Sequence, residues 1–321
     1  MLFSVIVPCY NEEEMIDEFY QETKKVVDEI KRTYSLDAEY IFVDDGSKDK
    51  TLEKLRVLHQ ENDECKYISF SRNFGKEAAL YAGLQTAKGD YVVVIDADLQ
   101  DPPALMLDMM KIMHDKKVNC VAAKRKNRKG EPAIRRFFSK QFYKIINSMS
   151  ETKIDDGVRD YRLMSRKMVD GILEISEVNR FSKGIFSWVG YSTEWVEYEY
   201  VDRKNGKSKW SFRKLWRYAI DGIVGYTTNP LKVASNLGIW MFILSFIGII
   251  FVVIRKLIYG DSTSGWPSLV CIILFVSGVQ LLCIGIIGEY LAKTYVEVKK
   301  RPIYLIEETD EEDDSREERE N

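Results

Sequence analysis

Asp96-Ala97-Asp98 places two carboxylates one residue apart, where the apolar run Tyr91–Ile95 gives way to Leu99-Gln100-Asp101-Pro102-Pro103. Carboxylates so spaced, on a loop leaving a buried strand, can hold a hard divalent cation beside a ligand's phosphates. Mg2+ and Mn2+ prefer oxygen ligands, and Mg2+ takes one or two carboxylates with water and phosphate completing the shell. A single Asp-x-Asp is most often a solvated acidic loop. Here a second acidic loop, Val43-Asp44-Asp45-Gly46-Ser47, lies upstream in the same alternating pattern, and the pair points to one site. Other chemistries lack their residues. His59 and His114 are the only histidines, and the five cysteines are scattered without a Cys-x-x-Cys, so a His triad, a zinc site or a disulfide framework is not supported. No Gly-x-Gly-x-x-Gly follows the first strand and no Gly-x-x-x-x-Gly-Lys-Ser/Thr occurs, so dinucleotide and P-loop cradles are missing.

The elements that must position these loops alternate. Strands are predicted at Phe3–Val7, Tyr40–Val43, Tyr67–Phe70, Tyr91–Ile95 and Val118–Ala123. Between them helices are predicted at Glu12–Arg32, Lys50–Gln60, Lys76–Ala87 and Pro103–Met113. Continuously apolar strands separated by helices predict an α/β fold with a mostly parallel sheet covered on both faces. Such sheets bind ligands at the carboxyl ends of their strands. Four loops fall on that edge: Pro8–Glu12, Asp44–Ser47, Ser71–Glu77 and Asp96–Asp98.

The net charge of −3 divides into −8 on the tail Glu307–Asn321, with ten acidic and two basic residues, and +5 on the rest. The tail has no apolar periodicity and reads as a disordered, solvated extension whose removal should change little. Leu2–Cys9 is too short and too unflanked for a signal peptide. Val233–Ile254 and Pro267–Gly288 are each 22 residues long and uncharged. At 1.5 Å per residue each reaches about 33 Å, enough for the hydrocarbon core of a bilayer. Basic residues precede the first run (Arg203, Lys204, Lys207, Lys209, Arg213, Lys214, Arg217, Lys232) and follow the second (Lys293, Lys299, Lys300, Arg301), against only Arg255 and Lys256 between them. That asymmetry predicts a plasma (inner) membrane hairpin with the catalytic portion and both termini cytoplasmic. Phe212–Val224 is amphipathic, with Phe212, Leu215, Trp216, Ala219, Ile220 and Ile223 on one helical face, and suits the membrane interface. The expected organisation is a catalytic domain at 1–202, a basic juxtamembrane segment at 203–232, spans at 233–254 and 267–288, a cytoplasmic segment at 289–306 and the tail at 307–321.

Four ordered motifs carry a resemblance: Val7-Pro8-Cys9-Tyr10-Asn11-Glu12, Val43-Asp44-Asp45-Gly46-Ser47, Ser71-Arg72-Asn73-Phe74-Gly75-Lys76-Glu77 and Asp96-Ala97-Asp98-Leu99-Gln100-Asp101-Pro102-Pro103. With Arg125-x-x-Arg128-x-Gly130-Glu131 and Gly206-Lys207-Ser208-Lys209, they resemble the motif series of family 2 inverting glycosyltransferases over residues 3–232. Within that family they look like the polyprenyl-phosphate branch, which includes bacterial undecaprenyl-phosphate glucosyltransferases and dolichyl-phosphate mannose synthases. The resemblance implies a GT-A catalytic domain, with Pro8, Tyr10, Glu12, Asp44, Asp45, Arg72, Lys76 and Asp96 at the nucleotide. It implies Asp98, Asp96 and Gln100 at an Mg2+ or Mn2+ ion. Arg125, Arg128, Arg135, Arg162, Lys207 and Lys209 are implied at an acceptor phosphate, and Asp160, Asp98 and Arg128 are the implied catalytic residues.

A lipid phosphate is already anionic near neutral pH, since a phosphomonoester's second pKa is about 6, so cations are needed more than a strong base. Lys124–Arg136 supplies seven cations against Glu131 alone. Members of the family carry Gly-Asp-Phe-Arg-Leu where this chain has Arg159-Asp160-Tyr161-Arg162-Leu163, and the departure leaves the acceptor aspartate open among Asp155, Asp156 and Asp160. The implied reaction is metal-dependent transfer of a hexose to undecaprenyl phosphate. UDP-glucose is the first donor, UDP-GlcNAc, UDP-galactose and GDP-mannose the alternatives. Membrane lipids are expected partners, nucleic acid is not, and the resemblance allows a homo-oligomer. A processive polysaccharide synthase would show Gln-x-x-Arg-Trp and further spans. A non-catalytic nucleotide-sugar-binding membrane protein would be expected to lose a metal carboxylate, and Asp96 and Asp98 are both intact.

Overall fold

Leu2–Cys9 forms β1, the strand from which the site is built, and its side chains from Phe3 to Val7 are buried on both faces. A computed structural model describes residues 1–126, 158–198, 229–259 and 265–310. These form two units, one of residues 1–126, 158–198 and 301–310, the other of residues 229–259 and 265–300.

In the first unit the chain runs β1, α1 (Ile16–Tyr34), β2 (Asp37–Asp44), α2 (Thr51–Glu61), β3 (Cys65–Phe70), α3 (Lys76–Thr86) and β4 (Tyr91–Val94). It continues as α4 (Leu105–Lys116), β5 (Cys120–Arg125), β6 (Val158–Ser165), α5 (Arg166–Leu173), α6 (Ser182–Trp188) and β7 (Thr193–Tyr198). After the second unit it returns as β8 (Ile306–Thr309). The sheet order is β7-β5-β6-β4-β1-β2-β3-β8. β1 pairs in parallel with β2 and β4, with Ile6 opposite Ile41 and Val94. Phe3, Val5 and Val7 join the core formed with α1 and α4. Ile6 faces Gly83 of α3, where an added Cβ would lie 2.3 Å from the Ile6 side chain.

The sequence-based elements recur with shifted ends. Leu105 N–H and Met106 N–H donate to the Pro102 and Pro103 carbonyls, so α4 begins two residues after the expected Pro103. The sheet is mixed. Among the described residues four of seven pairings are parallel, because β6 runs antiparallel to β4 and β5, and β8 antiparallel to β3. β8 reaches the sheet after the second unit and not through the short strand–helix–strand crossover that enforces parallel pairing.

β8 also corrects the reading of the tail. Residues 306–309 extend the sheet, and residues 311–321 lie outside the described residues. Glu308 accepts from Tyr67 Oη (2.6 Å) and Arg56 Nε (2.7 Å), Asp310 Oδ1 accepts from Tyr67 N–H (3.0 Å), and Tyr304 stacks on Phe70 with centroids 4.8 Å apart. Acidic composition concealed this strand because its charges have partners elsewhere in the chain.

The second unit contains α7 (Asn229–Tyr259) and α8 (Trp266–Val298). At 31 and 33 residues they reach about 46 and 50 Å, longer than the hydrocarbon core. The windows Asn229–Gly248 and Phe275–Val298 are apolar enough to cross a membrane and are 6% and 0% buried in protein. Apolar helices this bare suggest membrane association. α7 and α8 pack together, with Cys283 Sγ 3.7 Å from the Ala234 carbonyl. The amphipathic segment expected at Phe212–Val224 lies outside the described residues.

Candidate active site

The carboxyl ends of β1, β2, β3 and β4 carry the four informative loops to one edge of the sheet, and these loops are tied to each other. Asn11, in the left-handed region at φ 54°, donates its N–H to Ser47 Oγ (2.9 Å) and accepts from Lys48 N–H (2.9 Å). Glu12 N–H donates to Thr51 Oγ1 (2.9 Å). Gly46 has φ 65°, and a Cβ there would meet the Arg72 carbonyl carbon at 2.5 Å. Only glycine permits both this backbone conformation and this approach between the two loops.

Asp44 and Asp45 are 1% and 4% exposed. Asp44 accepts from Ser47 N–H (3.1 Å) and Ser69 Oγ (2.8 Å). Asp45 accepts from Phe74 N–H (2.6 Å), Gly75 N–H (2.9 Å) and Asn73 Nδ2 (2.8 Å). Burial pushes the Asp45 carboxyl up, and the Phe74 and Gly75 N–H groups oppose that shift. Both aspartates therefore shape the loops. Exposed side chains on this edge include Tyr10, 38% exposed, and Arg72, whose guanidinium lies over the Phe74 ring at 4.0 Å. Pro8, Glu12 and Gln100 are partly buried on the same edge.

The turn after β4 brings the carboxylates together. Leu99 sits in the left-handed region at φ 51°, which costs a bulky residue about 1–2 kcal/mol. The turn lets Gln100 N–H reach back to Asp98 Oδ1 at 3.1 Å. Lys76, the first residue of α3, lies 2.7 Å from Asp96 Oδ1 and 2.9 Å from Asp160 Oδ2. Residues 76, 96 and 160, distant in sequence, thus meet. Burial disfavours each charge. Even so, Asp160 and Asp96 hold the Lys76 ammonium above its usual range, and Lys76 with Lys183 holds Asp160 well below the usual carboxylate range. Burial leaves the Asp96 carboxyl raised despite Lys76.

A second cluster adjoins Asp160. Asp101, 3% exposed, accepts from the Tyr198 hydroxyl and lies 3.4 Å from Arg159 Nε. Arg125 Nε is 3.4 Å from Tyr198 Oη. Arg125 is thereby engaged with protein groups at the end of β5. Arg162 is 3% exposed, stacks on Phe186 at 3.5 Å and donates from Nη2 to the Arg159 carbonyl (3.1 Å). A guanidinium so covered cannot meet an incoming phosphate directly, so its expected acceptor contact becomes support for the strand carrying Asp160. Glu77 accepts from Ser182 N–H (2.8 Å) and Ser182 Oγ, joining the starts of α3 and α6. Sequence reasoning gave no role to Glu77, although it closes the Ser71–Glu77 motif, and missed Lys183 and Tyr198, which reach the cluster from elements with no motif of their own. Arg128, Arg135, Asp155, Asp156, Lys207 and Lys209 lie outside the described residues.

Among the described residues no group of three or more His, Cys, Asp or Glu side chains converges as a metal cage. Asp96 and Asp98 nevertheless fit Mg2+ or Mn2+. Their donors are hard oxygens on one turn, Asp96 already attracts the Lys76 ammonium, and such ions take the rest of their shell from phosphate and water.

The chain matches known proteins in sequence. The model of glycosyl transferase family 2 matches residues 4–173, and that of the GtrB C-terminal hairpin matches residues 229–294. A putative glycosyltransferase, CsbB, of Bacillus subtilis is 44% identical over 307 residues, covering 96% of this chain and 92% of the relative. The SfII prophage-derived bactoprenol glucosyl transferase of Shigella flexneri is 41% identical over 309 residues, covering 96% and 98%. Among solved structures, glucosyl-3-phosphoglycerate synthase from Mycobacterium tuberculosis, in complex with Mn2+, UDP-glucose and phosphoglyceric acid, is 18% identical, with TM-score 0.44 over 70% of this chain and 77% of that one. With a family 2 model over more than half of its length and a GtrB C-terminal hairpin behind it, this chain belongs to glycosyl transferase family 2.

Proposed function

We propose that the protein transfers glucose from UDP-glucose to undecaprenyl phosphate, with inversion at the anomeric carbon, at the cytoplasmic face of the plasma membrane. One observation carries the reading. A family 2 catalytic domain and two apolar helices bare of protein share a chain that is 41% identical, over nearly its whole length, to a bactoprenol glucosyl transferase.

On the donor side Tyr10 and Arg72 offer an exposed ring and an exposed cation for a base and a diphosphate. Asp96 and Asp98 would hold Mg2+ or Mn2+, which when bound neutralises the charge developing on the leaving diphosphate. On the acceptor side, an oxygen of the lipid phosphate forms the new bond to the anomeric carbon. The bond from that carbon to the diphosphate breaks, and UDP leaves with the electron pair. The acceptor arrives largely ionised, so no strong base is required. Asp160, paired with Lys76 and held far below the usual carboxylate range, is a poor base and a good orienting anion. Arg125, Arg128, Arg135, Lys207 and Lys209 are proposed to attract the acceptor phosphate or the lipid headgroups around it. Lys232, Lys293, Lys299, Lys300 and Arg301 flank the hairpin against Arg255 and Lys256 in its turn, which supports cytoplasmic termini.

The test is incubation of the purified full-length protein with undecaprenyl phosphate and labelled UDP-glucose, UDP-GlcNAc, UDP-galactose and GDP-mannose in turn. Label should enter the lipid phase most from UDP-glucose. Label left entirely in water from all four donors would overturn the proposal.

A further inference from the structure

The cations around Asp160 are not equally committed. Lys76 bridges Asp96 and Asp160, Arg159 faces Asp101, and Arg162 is covered by Phe186 and bonded to the Arg159 carbonyl. Lys183 differs: its carbonyl accepts from Ser187 Oγ (3.2 Å), but its ammonium makes no hydrogen bond or ion pair among the described residues. Its backbone is fixed. Glu77 accepts from both the N–H and the hydroxyl of Ser182, and Phe186, one turn on, packs under Arg162. Lys183 is half-buried, so its ammonium has lost part of its water without gaining a partner. Burial accordingly depresses it, with Asp160 the opposing influence. Lys76 bonds Asp160 from the start of α3, and Lys183 stands on α6, which Ser182 pins to α3 through Glu77; among the described residues only the first of the two ammonium groups closes an ion pair.

We infer that Lys183 binds the phosphate of the incoming acceptor, holding it beside Asp160 for attack. The inference rests on the proposed lipid-phosphate acceptor and adds to it a residue that no motif marked. The donor's diphosphate has the same chemistry. The acceptor is favoured because Lys76 already sits on the Asp96 carboxylate of the donor-side turn, whereas Lys183 stands on α6, whose Phe186 packs under Arg162 of β6, the strand that carries Asp160.

The experiment compares full-length parent, Lys183→Ala and Lys183→Arg in detergent, each checked by thermal melting. It reads the KM for undecaprenyl phosphate and, by calorimetry, the Kd for UDP-glucose. A charge-assisted hydrogen bond is lost in Lys183→Ala, so its acceptor KM should rise about tenfold to a hundredfold. The Kd for UDP-glucose should stay within about twofold, and Lys183→Arg should recover most of the acceptor affinity, because arginine keeps the charge. An acceptor KM within about twofold of the parent overturns the inference. So does a Kd for UDP-glucose that weakens as much as the acceptor KM, which would assign the ammonium to the donor. If the parent itself transfers nothing to undecaprenyl phosphate, the proposed function fails and takes this inference with it. Normal parental transfer with an indifferent Lys183→Ala removes the inference alone.

Discussion

Asp160→Asn keeps the side chain's size and removes its charge from a cluster that includes Lys76 at 2.9 Å, with Lys183 and Arg162 nearby. Two effects follow, and they differ in size. Loss of a charge-assisted hydrogen bond costs about 1.5–3 kcal/mol when fully buried. The Asp160 side chain is 23% exposed and Lys76 keeps Asp96, so the cost to stability should be about 1 kcal/mol, or a few degrees in Tm. The effect on turnover is larger, because an anion that orients the acceptor acts in the transition state. By analogy with removal of one preorganised electrostatic group, kcat should fall about 10²–10³-fold. Donor affinity should change little. The assay is steady-state transfer to undecaprenyl phosphate alongside calorimetric titration of UDP-glucose, with Asp155→Asn and Asp156→Asn as comparators that should fall less. The pH profile adds a second reading. Asp160 stays ionised through the ordinary carboxylate range, so the acid limb of kcat/KM should follow the acceptor phosphate near pH 6. A kcat for Asp160→Asn above about a tenth of the parent's would refute the orienting role, and a dead Asp156→Asn would move that role to residue 156.

Asp98→Asn should abolish transfer with the fold intact, since Asp98 itself is only partly buried and the amide keeps its size, and chelation by EDTA should do the same until Mg2+ or Mn2+ is restored; full activity in chelator would remove the metal assignment. Glu308→Gln should lower stability by about 1 kcal/mol, a modest figure because both partners are partly exposed. Arg56 and Tyr67 hold the Glu308 carboxyl down to about 2. That contribution should therefore be complete above the free carboxyl's ~4.3 and fade as pH falls toward 2, read as Tm against pH with the variant flat by comparison. Truncation after Asp310 should leave Tm unchanged, whereas truncation after Lys300 should lower it by removing β8. Glutamates at Ile243 and Phe246, both exposed on α7, each cost about 2.5–3.5 kcal/mol at a span's centre and should move protein out of alkali-washed membranes. Full retention would contradict insertion of α7.

The N-terminal half was legible because each strand ends in a loop whose residue types have few other uses, and a parallel sheet carries those loops to one edge. Asp44, Asp45 and Asp96 were placed by that logic alone. Which of them faces a ligand was not legible, since it depends on whether Ser69, Asn73, Phe74 or Lys76 takes up their oxygens. The partners of Asp160 were hidden for a related reason. Lys183 and Glu77 join its surroundings through a contact between α3 and α6, some 105 residues apart at Glu77 and Ser182, and no local spacing encodes that. β8 was masked by composition. Four residues are too few to show alternation, and the acids of 307–310 look solvated until Arg56 and Tyr67 are seen opposite them.

The central claim is transfer of a sugar, and not of a sugar phosphate, to a lipid phosphate. Phosphorus NMR with anomeric proton coupling on the lipid product made from UDP-glucose tests it directly. The account predicts a single phosphodiester phosphorus linked to a β-configured glucose. A pyrophosphate signal, an α linkage, or free glucose with unchanged lipid phosphate would contradict it.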